Sequence, residues 1–554
     1  MNIRKSAGAV LMALTLAMGG CSSSSSLDED TPQDGNTPQD GDTGSDRTPN
    51  FVTVVIDDMG FSDLEAFGGE IPTPNINQLA LNGIMLNNFY AAPTSTPSRA
   101  MLFTGKDHHQ AGVGNMRKQL REEQIGQPGY EGELSLGALP FPELLQQNGY
   151  HTMLTGKWDL GSDPEHLPSN RGFNETRPAL EEGGDHYSLE DGTIQRGVYF
   201  NNGVEIEKFP REFYSSDYYT DMGIEMLRER DKDKPFYLCM TYTAPHTPLQ
   251  APAEVTAKYL DVYAKGWDVI RAERFKRQKQ IGLWPADAEL PPRFAGVEAW
   301  DSMSEEEQMV SAKKMAIYAA MVDVLDENVG RLIDYLKEIG EYENTVIFLY
   351  SDNGGGFMLF TSTEGKDNSY ENMGNRNSVI ANDLGWAMVQ NTPFNRSKND
   401  TFEGGWHTNG ILHYPMSKVS NVRANRIVSV MDIAPTILEM AEIAYPDVYK
   451  GSLNTPLQGI SMANMFEGEQ LGYRPNRALA FEMNGMIGVR AGDWKLSRGW
   501  CDVKEYYLFN LSTDPFELND LTETEPDILK AMLDIYDGYA KENGVIDVEP
   551  CYIQ

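Results

Sequence analysis

Two short runs of β-branched and aromatic residues, at 51–56 and 345–350, form the clearest hydrophobic pattern in the chain. Neither run contains a charged residue, which is typical of parallel strands covered on both faces of a sheet. The second run follows a segment, 315–339, in which apolar residues recur at every third or fourth position. That spacing indicates a helix with one face against a core. The pattern therefore predicts an α/β fold that contains buried parallel strands.

The pattern changes in the last quarter of the chain, where short strand-like stretches follow one another. The predicted elements are strands at 478–483, 486–490, 494–497 and 506–511 and a helix at 525–542. Ala491-Gly492-Asp493 lies between two of these strands and is typical of a hairpin turn. We expect a small antiparallel sheet packed by one helix in a C-terminal subdomain at 441–554, after a larger domain at 51–440.

The N-terminus has the pattern of an export signal. Two basic residues precede the apolar stretch 7–20, which is too short for a permanent membrane span. Gly19-Gly20 before Cys21 resembles a bacterial lipoprotein signal, which implies cleavage within 1–21 and a lipid on Cys21. Ordinary signal cleavage is the alternative, since Met18 stands where Leu is more usual. Residues 22–50 are polar and acidic, which predicts a flexible tether.

We therefore expect a bacterial periplasmic or outer-membrane protein held by its lipid, with a secreted protein as the alternative. The chain has 46 Lys+Arg against 82 Asp+Glu, a formal net charge of −36. That charge argues against nucleic acid and anionic membrane surfaces as partners, because both require a basic surface. An anionic substrate would have to be bound by a few locally placed cations. Four cysteines are too few for a disulfide scaffold, and the sequence leaves open whether Cys501 and Cys551 pair.

Acidic and amide residues directly follow both predicted strands. Asp57-Asp58 comes after the first run, and Asp352-Asn353 comes one residue past the second. The carboxyl ends of strands are where open α/β sheets bind ligands. If the two ends converge, their oxygen atoms suit Ca²⁺ or Mg²⁺ rather than Zn²⁺, and Ca²⁺ is favoured because its larger shell accepts more protein oxygens. An acid that caps the next helix is the alternative for the first pair.

The segment 93–106 combines small, hydroxyl and basic residues. Pro97 is suited to the first turn of a helix, which would place Ser95 at the helix N-terminus, where developing negative charge is stabilised. Arg99 would lie close to Ser95 on the same turn. A serine without a neighbouring histidine is a poor nucleophile, so a helix-capping serine is the alternative.

Ser95-Thr96-Pro97-Ser98-Arg99 matches the signature of sulfatases, in which a Cys or Ser before -x-Pro-x-Arg becomes formylglycine. Further motifs follow in the family's order across residues 51–540, which a chance match would not produce. They are Asp57-Asp58, Gly156-Lys157-Trp158, Pro245-His246-Thr247-Pro248, Ser351-Asp352-Asn353-Gly354 and Lys398 before Glu403-Gly404-Gly405. The chain is identified as a member of this family and resembles its bacterial arylsulfatase branch.

The resemblance implies a fold like that of alkaline phosphatase, a large mixed, mostly parallel sheet flanked by helices. It implies that a sulfatase-maturing enzyme converts Ser95 to formylglycine before export, and that one divalent cation completes the site. The implied cation ligands are Asp57, Asp58, Asp352 and Asn353. The other implied roles are acidification of the formylglycine hydrate by Arg99, sulfate binding by Lys157 and Lys398, and protonation of the leaving group by His246.

The implied activity is hydrolysis of sulfate esters, with an aryl sulfate or a sulfated carbohydrate as substrate. The hydrate of formylglycine, a gem-diol, would attack sulfur, and the sulfated hemiacetal would then expel sulfate. A phosphonate or phosphate ester hydrolase of the same superfamily is one alternative. A catalytically weakened surface protein that only binds sulfate esters is another. Loops of the C-terminal subdomain, together with residues 177–213 and 262–300, are expected to wall the pocket.

One position departs from the family pattern. Asp159 stands where a histidine normally contacts formylglycine and is thought to assist breakdown of the hemiacetal. On extended backbone, Lys157 and Asp159 would both face the pocket. Read without the resemblance, Lys398 is a surface charge and His246 part of a rigid loop, whereas His108-His109 has a structural or substrate-wall role rather than a catalytic one.

Overall fold

The two strands predicted from the hydrophobic runs lie side by side at the centre of one sheet. The computed structural model describes residues 47–181, 183–358, 363–473, 477–502 and 504–550. Among these described residues, eleven strands form the sheet. In chain order they are β1 (Asn50–Asp57), β2 (Ile84–Tyr90), β3 (His151–Lys157), β4 (Glu175–Glu181), β5 (Val198–Asn201), β6 (Val204–Glu205), β7 (Phe236–Pro245), β8 (Thr345–Ser351), β9 (His407–His413), β10 (Val422–Ala424) and β11 (Val428–Ser429).

The sheet is mixed and mostly parallel. Its order is β10-β2-β9-β8-β1-β7-β3-β4-β5-β6, with β11 also paired to β2. The strands from β8 to β4 in this order run parallel, and Val52 of β1 lies between Ile347 of β8 and Leu238 of β7. β9 is antiparallel to β8 and β2. The carboxyl ends of β1, β3, β7 and β8 therefore meet at one edge of the sheet, and the predicted fold class is confirmed.

Helices pack around this sheet. In chain order they are α1 (Pro74–Leu81), α2 (Ser95–Thr104), α3 (Phe141–Gln147), α4 (Ser215–Glu229), α5 (Ala253–Thr256), α6 (Leu260–Tyr263), α7 (Trp267–Gln280), α8 (Glu305–Glu338), α9 (Leu384–Gln390), α10 (Glu403–Trp406) and α11 (Ile433–Met440). α8 corresponds to the helix predicted at 315–339 and ends one residue earlier, with Ile339 as its C-cap. It begins ten residues before the predicted start, because Ser304 and Glu307 form a capping box at its N-terminus.

Successive residues of β1 pack into different apolar clusters, one on each face of the sheet. Val54 belongs to the cluster that contains Met315 of α8, whereas Val55 belongs to the cluster that contains Leu102 of α2. Full burial of each such side chain contributes roughly 1.5–3 kcal/mol. Burial on both faces explains why the sequence of β1 does not alternate between apolar and polar residues.

A small antiparallel sheet follows in the C-terminal part, as predicted. After a two-residue hairpin, β12 (Val448–Tyr449) and β13 (Ser452–Leu453), the sheet contains β14 (Ala478–Met483), β15 (Met486–Ala491), β16 (Trp494–Arg498) and β17 (Tyr507–Asn510), and α12 (Pro526–Asn543) packs on it. Leu496 and Leu508 share an apolar cluster with Met532 of α12. Thr401 Oγ1 donates to the carbonyl oxygen of Ile487 at 2.8 Å and links this sheet to the segment before α10.

Several predictions fall outside the described residues. They concern the signal at 1–21, the lipid on Cys21, most of the tether at 22–50, and the pairing of Cys501 with Cys551. β1 begins at Asn50, one residue before the predicted start of the folded chain. In the part of the chain that the structure describes, none of the helices has both the length and the apolar character to cross a membrane.

Candidate active site

Ser95 lies at the N-terminus of α2, opposite the carboxyl ends of β1 and β8. Its hydroxyl is 2.9 Å from Asp57 Oδ1 and 3.2 Å from Asn353 Oδ1, and its single hydrogen is donated to one of these oxygens at a time. Thr94 occupies the cap position of α2, and Pro97 lies in the first turn. Ser95 is therefore directed at the acidic strand ends, and the helix-capping alternative is wrong.

The second acidic residue after β1 is held by a different set of contacts. Asn353 Nδ2 donates to Asp58 Oδ1 at 2.8 Å, and Lys398 Nζ donates to the same oxygen at 2.5 Å. The backbone of Asp58 is left-handed, with φ of 66°, a conformation that is uncommon for residues other than glycine and is concentrated at functional sites. Tyr318 Oη lies 3.3 Å from the carbonyl oxygen of Asp58. The conformation turns Asp58 away from the strand direction and towards the second strand end.

Buried cations surround these acids. Lys157 Nζ donates to Asp57 Oδ2 at 2.8 Å, and Arg99 Nη2 donates to Asp352 Oδ2 at 3.0 Å. Arg99 Nη1 also donates to the carbonyl oxygen of Lys157 at 2.7 Å, which joins α2 to the end of β3. Lys398 has a side chain only 12% exposed, so it is not the solvated surface charge that its sequence context suggests.

The two strand-end carboxylates differ in their electrostatic surroundings. Burial alone would raise the pKa of Asp57, but Lys157 and the cationic groups around it hold that pKa well below its usual range. Burial and the charge of Asp57 raise the pKa of Asp352 to about 7, against the opposing effect of Arg99. The cationic groups of the protein thus favour the ionised form of Asp57 more strongly than that of Asp352.

This donor set fits a hard divalent cation. Asp57, Asp58, Asp352 and Asn353 bring three carboxylates and one amide oxygen together, all buried, and such oxygen ligands are those that Ca²⁺ and Mg²⁺ prefer. One atom each of Asp57, Asp58 and His246 also lies within 4.8 Å of the others. The convergence of the two strand ends, which the sequence could only suggest, is present in the fold.

His246 directly follows β7, and its imidazole lies near the carboxylates of Asp57 and Asp58. Its Nδ1 donates to the carbonyl oxygen of Thr247 at 2.6 Å, which leaves Nε2 for proton exchange, 3.7 Å from Asp58 Oδ2. Burial lowers the pKa of His246, and the carboxylates of Asp58 and Asp57 oppose this effect. A Cβ atom on Gly183 would lie 3.1 Å from His246 Cε1, so part of segment 177–213 packs directly on the imidazole.

Asp159 reaches the site through a backbone conformation that the sequence did not predict. β3 ends at Lys157, and Asp159 has a left-handed φ of 59° rather than extended backbone. The expectation of an extended segment is therefore wrong, although the two side chains do meet, with Lys157 Nζ 3.6 Å from Asp159 Oδ2. Thr96 Oγ1 donates to the same Oδ2 at 2.9 Å. Asp159 thus sits beside the residue that follows Ser95.

Two residues support this site although the sequence did not predict a role for them. Thr96 orients Asp159, and its position inside the Ser95–Arg99 motif could have indicated such a role. His186 lies in a segment without any motif, and its Nε2 donates to the carbonyl oxygen of His246 at 2.9 Å. Ser215 Oγ donates to His186 Nδ1 at 2.7 Å and fixes the ring. No local sequence pattern identifies His186, since its partner lies 60 residues away.

The pair His108-His109 lies in a separate buried cluster. His109 Nδ1 is 2.9 Å from Asp107 Oδ1, and its Nε2 is 3.2 Å from Glu482 Oε2 in β14. Burial would lower the pKa of His109, but hydrogen bonds to these two carboxylates raise it to about 9. The charged imidazole ties the end of α2 to the C-terminal sheet, which supports the structural role expected from the sequence.

Comparison with known proteins agrees with this geometry. Residues 49–443 match the family model described as Sulfatase, and residues 397–534 match the C-terminal model of N-sulphoglucosamine sulphohydrolase. An uncharacterized sulfatase of Schizosaccharomyces pombe is 38% identical over 90% of this chain and 95% of its own length. An arylsulfatase of Klebsiella aerogenes is 33% identical over 78% of this chain and 94% of its own length.

Among solved structures, the complex of Ps i-CgsB with k-i-k-neocarrahexaose has the same fold. Its TM-score is 0.64 at 24% identity, and the match covers 90% of this chain and 94% of that one. The match to the family model extends over most of the chain and includes Ser95 and both acidic strand ends. The chain therefore belongs to the sulfatase family, with the fold of the alkaline-phosphatase superfamily, and is a sulfuric ester hydrolase.

Proposed function

We propose that the protein hydrolyses sulfate esters through a formylglycine at position 95 and one hard divalent cation. The observation that carries this proposal is the placement of Ser95 Oγ, 2.9 Å from Asp57 Oδ1 and 3.2 Å from Asn353 Oδ1, at the N-terminus of α2. A serine hydroxyl has no histidine base in this position, so direct attack by Ser95 is poorly supported. Oxidation to an aldehyde removes this difficulty, because its hydrate supplies a more acidic hydroxyl.

Maturation is assigned to a sulfatase-maturing enzyme that acts before export. It would remove two hydrogens from the Ser95 side chain and leave an aldehyde, which water then converts to a gem-diol. The serine form of the motif points to the anaerobic, radical type of this enzyme. Export would be followed by lipid attachment at Cys21, which would hold the enzyme in the periplasm or at the outer membrane of a bacterium.

In the first chemical step, one hydroxyl of the gem-diol attacks sulfur and the ester oxygen departs. Lys157 and Lys398 would bind sulfate oxygens, whose negative charge increases in the transition state. Asp352 would accept the proton of the attacking hydroxyl, and Arg99 keeps that carboxylate in place at 3.0 Å. His246 would give a proton from Nε2 to the leaving oxygen, since the bound anionic substrate favours its protonated form.

In the second step, the sulfated hemiacetal loses the proton of its remaining hydroxyl and expels sulfate. The aldehyde forms again, and water restores the hydrate. Asp159 is a candidate to accept this proton, because its Oδ2 is near Thr96 and Lys157. Asp57, Asp58, Asp352 and Asn353 would hold Ca²⁺ or Mg²⁺. When bound, this cation would act as a Lewis acid and stabilise the negative charge that develops during the two steps.

Two substrate classes receive support from the comparisons. The relative from Klebsiella aerogenes is an arylsulfatase, and the fold neighbour Ps i-CgsB is bound to a neocarrahexaose. We therefore propose an aryl sulfate or a sulfated carbohydrate as the substrate. The leaving-group side of the site, rather than the sulfate side, must discriminate between them.

Expression with and without a maturing enzyme tests the proposal. The peptide containing residue 95 is analysed by mass spectrometry, and turnover of 4-nitrophenyl sulfate is compared with that of 4-nitrophenyl phosphate and a phenylphosphonate ester. We expect loss of two hydrogens at Ser95, sulfate release only from the modified protein, and faster turnover of the sulfate than of the phosphorus esters. Full activity of unmodified protein would overturn the formylglycine mechanism. Preference for a phosphorus ester would overturn the proposed substrate.

A further inference from the structure

A groove of about 670 Å³ opens beside the proposed sulfate-binding residue Lys398. Phe357 and Trp500 are among the residues that line it. Thr247, the neighbour of His246, has its hydroxyl 3.7 Å from Met358 Sδ, next to Phe357 in sequence. Because Lys398 lines the groove and also donates to Asp58, the groove lies next to the proposed sulfate site, where the leaving group would emerge.

The groove has large apolar surfaces. Trp500 and Phe357 are 42% and 41% exposed, unusually open for aromatic side chains of this size. The other apolar residues of the lining are Phe294, Ala295, Leu384, Met483 and Met486. An exposed apolar surface inside a concave site is typical of ligand-binding grooves. These side chains suit a leaving group with a flat apolar face.

Its polar residues are mostly neutral amides and hydroxyls. Asn484, in the turn between β14 and β15, donates from Nδ2 to Gln119 Oε1 at 2.7 Å, and Asn115 Nδ2 donates to Asn484 Oδ1 at 2.7 Å. These bonds fix the amides of Gln119 and Asn484, which both line the groove. Asn395, Ser397 and Asn399 are further neutral polar residues of the lining. Amide and hydroxyl groups both donate and accept, so they suit hydroxyl-bearing ligands.

Charge in the groove is already balanced within the protein. Arg396 donates to both oxygens of Asp502, at 2.8 and 3.0 Å, and to Asp400 at 2.8 Å. Its guanidinium also lies 3.8 Å from the ring centroid of Phe402. Lys398 is engaged by Asp58 and faces the sulfate site. Among the described residues that line the groove, these two are the cations, and neither is available for a second anionic group.

We propose that this groove binds the leaving group of the sulfate ester and selects leaving groups that carry no second negative charge. The inference rests on the proposed function, because the groove is assigned by its position beside the proposed sulfate and acid residues. The preferred ligand has a flat apolar face and neutral polar substituents. A phenol and a neutral sugar share this chemistry. A leaving group with another sulfate or a carboxylate would place an unpaired anion beside Asp400 in a strongly acidic protein.

Matched substrate pairs provide the main test. kcat/KM of the matured protein is measured for phenyl sulfate against 4-carboxyphenyl sulfate, whose phenolate is the slightly better leaving group, and for a neutral disaccharide with one sulfate against the same disaccharide with two. The proposal predicts that the added anion lowers kcat/KM by about tenfold or more in each pair, since unpaired like charge is disfavoured. Equal or faster turnover of the doubly charged member in either pair would overturn it. The ratio between the two monosulfated substrates identifies whether the ligand is a phenol or a sugar.

Two substitutions connect the effect to the groove. Trp500→Ala should raise KM for the monosulfated disaccharide by about tenfold and lower kcat much less, because it removes binding surface rather than a reacting group. Tyr473→Ala, which removes a 38% exposed aromatic side chain outside the groove, is the matched control. An equal effect of both substitutions, or a loss confined to kcat, would contradict the role of Trp500.

Asp502→Asn tests the charge argument directly. It removes one of the carboxylates that occupy Arg396 while keeping a side-chain oxygen near Gly499 N, 2.9 Å away in the native protein. We expect the ratio of kcat/KM between the singly and doubly charged substrates of each pair to fall by about threefold. An unchanged melting temperature would be the evidence of folding. An unchanged ratio in folded protein would contradict the charge argument. Absence of turnover on every sulfate ester would instead reject the proposed function, so the two failures are distinguishable.

Discussion

Ser95 Oγ lies 2.9 Å from Asp57 Oδ1, although the two residues are 38 positions apart in the chain. The other oxygen of the same carboxylate accepts a hydrogen bond from Lys157 Nζ at 2.8 Å. One buried carboxylate therefore contacts both the residue proposed to become the nucleophile and a lysine proposed to bind sulfate. Substitution of Asp57 would disturb the proposed nucleophile directly, so Asp58, which contacts Lys398 and Asn353, is the better position for a test of cation binding.

We expect removal of the divalent cation to abolish turnover, and added Ca²⁺ or Mg²⁺ to restore it. At a Ca²⁺ concentration 100 times its dissociation constant, the free energy of unfolding should rise by about 2.7 kcal/mol. Asp58→Asn should abolish most of this stabilisation, because it removes a ligand charge and retains a residue type that tolerates φ of 66°. Calorimetry with and without Ca²⁺ measures the effect. Asp534→Asn, at an exposed position of α12, is the control. Full activity of metal-free Asp58→Asn protein would reject the ligand assignment.

Lys398→Ala should lower kcat/KM for a sulfate ester by about 10²–10³, the usual effect of removing one group that stabilises transition-state charge. Steady-state kinetics and a thermal melt are measured together. If Lys398 only neutralised Asp58, at 2.5 Å, the substitution would change the melting temperature and leave turnover nearly intact. Lys418→Ala, at a position with a side chain 70% exposed, controls for loss of surface charge.

His246→Ala should affect poor leaving groups more than good ones. Loss of a general acid costs about 10²–10⁴ in rate for an alkyl sulfate, whereas 4-nitrophenolate departs without a proton, so its rate should fall much less. His186→Leu should reproduce this pattern in weaker form, since it removes the 2.9 Å hydrogen bond to the carbonyl oxygen of His246. His186→Asn retains a donor and should recover part of the lost rate. Equal losses on both substrates would contradict the acid role of His246 and the positioning role of His186.

The strands and the reactive motif could be predicted because their signals are local. The unbroken apolar runs at 51–56 and 345–350 correspond to β1 and β8, and four C-terminal strands lie within about two residues of their predicted ends. The sequence suggested that the acidic residues after β1 and β8 could converge, and they do so because the two strands are parallel neighbours that end at the same sheet edge. In these cases, the local sequence pattern alone is enough to locate the strands and the acidic residues that follow them.

The remaining parts of the site depend on contacts between distant segments. His186 supports His246 across 60 residues, and the groove joins Gln119, Phe294 and Trp500 from three separate segments. Asp159 has a left-handed backbone two residues after the end of β3, and no residue type in the segment required it. Such features arise from tertiary packing, so a single sequence without its fold contains no direct signal for them.

The buried imidazolium of His109 predicts a specific dependence of stability on pH. The pKa of His109 is raised to about 9 in the folded protein, against about 6.5 when unfolded. Its contribution to stability is therefore fully present below pH 6.5 and is lost as the pH rises through 9. The neighbouring groups are Asp107, Glu482, His108, Tyr130 and Tyr539. Burial lowers the pKa of His108 to about 4 and raises the pKa of both tyrosines, so these three groups remain neutral in this range.

His109→Gln should remove about 3 kcal/mol of this pH dependence between pH 6.5 and 9. Chemical denaturation at several pH values measures the difference between variant and native protein. Burial raises the pKa of Glu517 to about 8, and this group also lowers stability as the pH rises, but it is common to both proteins and cancels in the difference. His151→Gln, at a partly exposed position, is the control. Parallel stability curves for native and His109→Gln protein would contradict the charged state of His109.

Asp159 is the position at which this chain departs from the family pattern, and its carboxylate has two close neighbours. Its carboxylate accepts from Thr96 Oγ1 at 2.9 Å and lies 3.6 Å from Lys157 Nζ. As an acceptor it can take the proton of the sulfated hemiacetal or bind a hydroxyl of a sugar substrate, but it also repels sulfate. Histidine, like aspartate, tolerates the left-handed backbone at this position, so Asp159→His should fold.

If Asp159 binds a sugar hydroxyl, Asp159→His should gain activity on 4-nitrophenyl sulfate and lose about tenfold in kcat/KM on a monosulfated sugar, the cost of one hydrogen bond to a charged group. The gain follows because the variant removes a negative charge beside the sulfate. Asp159→Asn separates charge from shape, and it should show the gain on the aryl ester without restoring a base. Equal or better activity of Asp159→His on both substrates would mean that Asp159 makes no contribution to specificity. A loss on both would instead assign the carboxylate to proton transfer in hemiacetal breakdown.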